Sequence, residues 1–221
     1  MLAAAVGSST VGEAVAHRLE AEILSGRLAP GSFLRQRAVA AHFGVSEGTV
    51  REAFRRLEAR GLLESTRRRG VRVAPLSAEE LHDLYELRLF LEPLLARESV
   101  PMATPVDLQA AEDLWLAMER ELDPVAWLEL NREFHATLYE PCGRRLLLRT
   151  QDQLRTLSER YLRLCLHLVG RFEESNREHR QILDAYWARE PEVAAARVRQ
   201  HLEHVRDAIR TVLPGQVTAG A

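Results

Sequence analysis

From Val11 to Leu24 apolar residues recur every three or four positions, and Val11, Val15, Leu19, Ile23 and Leu24 share one side of a predicted amphipathic helix. Thr10 and Glu13 form a capping box at its start, and Ser25-Gly26 with the turn LAPGS stops it. A short helix through Val39 and His42 breaks at Gly44; Ser46 caps the next, which runs to about Arg60 and ends at Gly61. The runs LLEST and VRVAP, separated by Arg67-Arg68-Arg69-Gly70, predict a small β-hairpin. After Pro75 the periodicity is helical to the end. Ser77 with Glu80 makes a second capping box, and Thr104-Pro105 and Asp123-Pro124 each place proline just after an N-cap. These breaks predict helices near 77–99, 105–122, 124–139, 144–168, 172–189 and 191–213. The expected fold is mainly α: residues 1–75 as three helices plus a β-hairpin, then residues 76–221 as an all-α bundle of about six helices.

Composition adds two constraints. No apolar run approaches the 18 or more residues of a membrane span, and MLAAAVGSST lacks the basic start and long apolar core of a signal peptide. Cys142 and Cys165 are the only cysteines among 221 residues, which argues against a disulfide framework and for a reducing cytoplasm. The net charge of −2 hides an asymmetry: residues 1–75 carry 12 Arg and 7 acids, the remaining 146 carry 18 Arg and 25 acids. A basic front and an acidic back suggest that the first domain meets a polyanion.

That domain has the layout of a helix-turn-helix, in which the second helix of the pair enters the major groove of DNA. In GVSEGTVREAFRRLEARGLL, Val45, Val50, Phe54, Leu57 and Leu62 form the buried side. Ser46 caps the helix, while Glu47, Thr49, Arg51, Arg55 and Arg56 are left for solvent or DNA. The Arg-rich hairpin tip suits a wing along the phosphates or in the minor groove.

The run ILSGRLAPGSFLRQRAVAAHFGVSEGTVREAFRRLEARGLLESTRRRGVRV resembles the winged helix-turn-helix domain of the GntR transcription regulators. The matching features are the Gly26–Gly31 turn, GVS with VREA, RRLE and GL, and RRGVRV. The resemblance implies contacts to double-stranded DNA from Arg37, Arg51 and the wing at Arg69 and Gly70. The family usually has Arg directly after the cap serine; here that position is Glu47. A glutamate there favours the helix dipole. It cannot donate to guanine but can accept from cytosine N4.

In the second domain, NREFH places Asn131 one helical turn ahead of His135, so both share a face. His179 shares an apolar stripe with Ile182, Leu183 and Tyr186, and His201 one with Val198, Val205 and Ala208. Three helices thus each direct an imidazole inward, with an amide oxygen beside the first. Such a set on facing helices suits Zn, Ni or a similar divalent ion; three core histidines, each satisfied separately, is the competing reading.

Residues 77–213 resemble the FCD ligand-binding domain of the FadR branch, through DLYELR-FLEPLLAR, N-x-x-F-H-x-x-L, EHRQILDA and the late His of RQHL. The resemblance implies a metal held by Asn131, His135, His179 and His201, where Asp is the commoner first ligand. It also implies a small carboxylate effector anchored by Arg88, with His204 a further pocket residue. Arg88 lies four residues before Glu92, so a salt bridge within the helix competes with that role. The expectation is a homodimeric, effector-controlled transcription regulator on a pseudo-palindromic operator, not an enzyme. Two rivals are a regulator whose metal is structural only and a metal-dependent hydrolase; against the latter, Glu133 points away from the Asn131–His135 face.

Overall fold

The computed structural model describes residues 10–66, 70–169 and 172–213. The chain divides into two compact units between Leu76 and Ser77.

In the first unit, α1 (Val11–Leu24) opens on the Thr10/Glu13 capping box. It is followed by β1 (Phe33–Leu34), α2 (Gln36–Phe43), α3 (Glu47–Ala59), β2 (Leu63–Thr66) and β3 (Gly70–Val73). Helix α1 packs on α3, burying Val15, Leu19 and Ile23 with Val50, Phe54, Leu57 and Leu62. Val11 is exposed, so the apolar stripe of α1 begins a turn later than its periodicity predicts. Gly44, at φ +66°, ends α2 in the left-handed region that favours glycine. Gln36 Nε2 donates to the Glu47 carbonyl at 2.6 Å, tying α2 to the start of α3.

The predicted hairpin is part of a three-stranded antiparallel sheet of order β1-β3-β2. Glu64 and Arg72 stand opposite in the β2–β3 register and form an ion pair at 2.7 Å. The extra strand, β1, has two residues and pairs Phe33 with Arg72 and Leu34 with Val71. Two residues carry no readable alternation; only tertiary pairing makes them a strand.

The second unit contains α4 (Ala78–Ser99), α5 (Pro105–Arg120), α6 (Pro124–Tyr139), α7 (Arg145–Val169), α8 (Phe172–Trp187) and α9 (Pro191–Val212), with a 3-10 turn at Glu140–Cys142. Ser77, Thr104 and Asp123 each accept a backbone N–H of the first turn, so the predicted caps are where α4, α5 and α6 begin. Helix α4 packs on α7 and α9, α8 on α5 and α9, and α6 on α5 and α7. Large buried rings fill the centre: Tyr85, Trp127, Phe134, Tyr139, Tyr161 and Tyr186. Buried Asn176 ties three helices together: its side-chain oxygen accepts from Trp127 Nε1 at 3.1 Å, its amide donates to the Met118 carbonyl and its own carbonyl accepts from Trp115 Nε1. The two cysteines form no disulfide. Among the described residues, no helix is long and apolar enough to cross a membrane.

Candidate functional site

On α3, Ser46 Oγ accepts the Thr49 N–H at 3.1 Å and lies 2.9 Å from Thr49 Oγ1, so both hydroxyls serve the N-cap. Glu47, Arg51 and Arg55 are exposed along the helix, and Arg37 is exposed on α2. No ion pair engages Arg37, Arg51 or Arg55 among the described residues. Arg56 differs: it pairs with Glu13 at 2.9 Å and Glu52 at 3.1 Å, buttressing α1 against α3. Gly70 is exposed at φ +88° at the start of β3. Arg69 lies outside the described residues.

In the bundle, α6, α8 and α9 bring His135, His179 and His201 together, with one potential ligand atom from each lying within 4.8 Å of the others. All three are buried. His135 Nε2 and His179 Nε2 face each other at 3.2 Å. Two imidazoles bound at 2.0–2.1 Å to one ion place their nitrogens about 2.9–3.4 Å apart, so this spacing suits a shared cation. Asn131 Oδ1, buried on α6, has no hydrogen-bond partner. An orphaned carbonyl oxygen beside a converging triad is what a fourth ligand requires.

The surroundings fix the tautomers of His135 and His201. Arg88 Nε donates to Glu92 Oε1 at 2.6 Å, and the Tyr139 hydroxyl donates to Glu92 Oε2 at 3.1 Å. The Tyr139 oxygen can then only accept from His135 Nδ1, 3.3 Å away, which leaves the His135 Nε2 lone pair pointing at His179. His201 Nδ1 lies 2.6 Å from Glu178 Oε2, and the other oxygen of Glu178 lies 2.5 Å from His204 Nδ1. A carboxylate on the outer nitrogen of an imidazole orients it and makes it a stronger ligand. His179 Nδ1 has no partner; its ring is held by Trp127 and Phe134, with centroids 5.9 and 5.1 Å away.

Burial pushes His135 well below its ordinary value, helped by the Arg155 charge and the neighbouring imidazoles. Burial does the same to His179, helped by His201 and Arg155. Neutral imidazole is the form that binds metal. Burial pushes Glu178 up, but hydrogen bonds from His201 and His204 outweigh it and hold the carboxyl below its usual range.

Arg88, Asn131, His135, Arg155, His201 and His204 line a cavity of about 40 Å³. That is room for on the order of three waters, hence for a compact ligand. Arg88 is both on this cavity and in the predicted Glu92 salt bridge, and its Nη1 also donates to Ser158 Oγ at 3.1 Å. His204 is half-exposed at the rim. Glu133 is exposed on α6.

The sequence pattern of the FCD domain matches residues 83–204, and that of the gntR family of bacterial regulatory proteins matches residues 11–73. The chain belongs to the GntR family. It is 33% identical to the HTH-type transcriptional regulator BphR of Paraburkholderia xenovorans, over 90% of this chain and 84% of that one. It is 31% identical to the Nta operon transcriptional regulator of Aminobacter aminovorans, over 86% and 90% respectively. In fold, a GntR regulator from Rhodococcus sp. RHA1 superposes with a TM-score of 0.81 at 22% identity, covering 93% of this chain and all of that one.

This GntR protein is therefore a DNA-binding transcription regulator with an FCD domain, not an enzyme. Two residues of its bundle site escape the sequence pattern. Glu178 is adjacent to His179 yet serves the histidines of α9, and Arg155 stands on α7 three residues before Ser158 and seven before Leu162. The available signal was polarity out of place: Gln151, Arg155 and Ser158 occupy buried positions of α7.

Proposed function

We propose that this regulator acts as a homodimer on a pseudo-palindromic operator in the cytoplasm, with its DNA affinity set by a small carboxylate bound at a divalent metal in the helical unit. The observation that carries this reading is the convergence of three buried imidazoles, two of which, His135 and His201, line a cavity together with Asn131, whose Oδ1 is orphaned. His135, His179 and His201 with Asn131 would hold the ion, zinc or nickel by ligand type. All four donors are neutral, so the ion keeps its full charge and attracts an anion to its open positions. Arg88, paired with Glu92, faces the same cavity, and Glu178 orients His201 and His204 at its edge. A ligand there can regulate only by binding the DNA-competent and incompetent arrangements unequally.

In the first unit, Arg37, Arg51, Arg55 and the wing at Arg69 and Gly70 are the contacts to DNA, with Ser46 and Thr49 holding the helix end that would enter the groove. Glu47 would accept from a cytosine amine, which predicts a half-site that differs from the family's guanine-bearing one.

The test selects duplexes from a random pool with purified protein, then measures affinity with and without metal and small carboxylates. Arg51→Ala is expected to weaken the selected operator by about 1–3 kcal/mol, roughly 5- to 150-fold. A carboxylate is expected to shift operator affinity only in metal-loaded protein. Recovery of the guanine-bearing half-site would sink the role of Glu47. Metal that stabilises the protein while no carboxylate alters DNA binding would favour a purely structural ion.

A further inference from the structure

Two arginines face the cavity, each 3% exposed, and their surroundings differ. Arg88 is matched by the Glu92 carboxylate at 2.6 Å and by Ser158. Arg155 is not matched. Its Nε has no hydrogen-bond partner, and among the described residues no carboxylate lies within ion-pair distance of it. Of the two carboxylates that act on its charge, Glu92 has both oxygens taken by Arg88 and Tyr139, and Glu159 lies beyond ion-pair distance of it and pairs with Arg132 at 3.6 Å. A guanidinium cannot shed its charge. Held out of water with no anion beside it, it is costly to the fold unless something anionic reaches it.

The charge balance of the cavity leads the same way. As metal ligands the amide and imidazoles are neutral, and the Arg88 charge is cancelled by Glu92. Of the two carboxylates on the lining, Glu178 is hydrogen-bonded to two histidines at the edge and Glu174 is not within ion-pair distance of Arg155. Of the two arginines on the lining, Arg155 is the one without a carboxylate within ion-pair distance among the described residues.

We propose that Arg155 is the second anion-binding point of this cavity, and that its ligand is a compact dianion: a short-chain dicarboxylate with one carboxylate at the metal and the other in the fork of Arg155. The proposal rests on the metal reading above. A guanidinium offers two parallel donors to a carboxylate, and the small cavity volume limits the chain between the two carboxylates. Arg88, already engaged, supports the site through Ser158, one turn along α7 from Arg155.

The test is calorimetric titration of the metal-loaded full chain with malonate, succinate and propionate, with metal content measured by mass spectrometry on the same samples. At least one of the two dicarboxylates is expected to bind more than tenfold tighter than propionate. Arg155→Met is expected to weaken that dicarboxylate by roughly 10- to 100-fold, with propionate affinity and metal content unchanged. Arg155→Lys should recover part of the loss. Equal affinity for propionate and both dicarboxylates overturns the proposal in the wild-type protein alone, whether or not the variants fold. So does a methionine variant that keeps the preference. A chain that binds no metal fails the reading beneath it, and with it the bridged dianion, through the metal measurement rather than the titration.

Discussion

His179→Ala is expected to empty the bundle of metal and to abolish the metal-dependent part of its stability. Loss of an outer partner of a metal ligand already weakens binding by about 10- to 100-fold; loss of a ligand should exceed the upper end of that range. At free metal 100 times the dissociation constant, binding adds about 2.7 kcal/mol to folding. A site weakened 100-fold gains only about 0.4 kcal/mol at the same concentration. The comparison is made within each protein, with and without chelator, so the cavity left by the missing ring cancels. Retention of near one ion per chain by His179→Ala would remove this residue from the site. The chelated wild type gives a second reading. An unfolded imidazole takes up its proton near pH 6.5, whereas burial keeps His135 and His179 neutral well below that. As pH falls below about 6.5 the unfolded state binds more protons than the folded one, so stability falls, by up to ~1.4 kcal/mol per pH unit for each histidine. Urea denaturation of metal-free protein between pH 7 and 5 measures the slope; a flat profile would mean that the rings are solvated.

The second large effect is at Glu92, which has no exposed surface and holds both Arg88 and Tyr139. Glu92→Leu strands the Arg88 charge inside the bundle and should cost about 3–5 kcal/mol by denaturant unfolding. It should also weaken metal binding by roughly 10- to 100-fold, because Tyr139 would lose its acceptor and with it the arrangement that orients His135. Arg88→Met combined with Glu92→Leu is expected to recover most of the stability without recovering metal affinity. A single variant that loses less than about 1 kcal/mol would show that water reaches this pair.

The contrast between Glu92 and Arg155 marks where the sequence was readable. Helix starts were, because Thr10, Ser77, Thr104 and Asp123 announce themselves within three residues of the helices they cap. Asn131 and His135 are one turn apart, and His179 and His201 each interrupt an apolar stripe, so their inward direction followed from helical spacing. The Arg88–Glu92 pair is likewise a local relation. Arg155 lines the cavity from α7 and Glu178 reaches the histidines of α9 from α8, placements that no local spacing connects. Strand β1 belongs with them: two residues become a strand only because β3 lies beside them.

Tyr161 gives the bundle one more property. Its hydroxyl accepts the Ser77 backbone N–H at 3.3 Å and donates to Glu80 at 2.5 Å. It therefore clasps the first turn of α4, at the point where the chain passes from one unit to the other. Its neighbour on α7, Leu162, lines the cavity of the bundle. The N-terminal end of α4 is thus tied to α7, one of the helices that line the cavity, so a shift of α7 would strain the start of α4 directly.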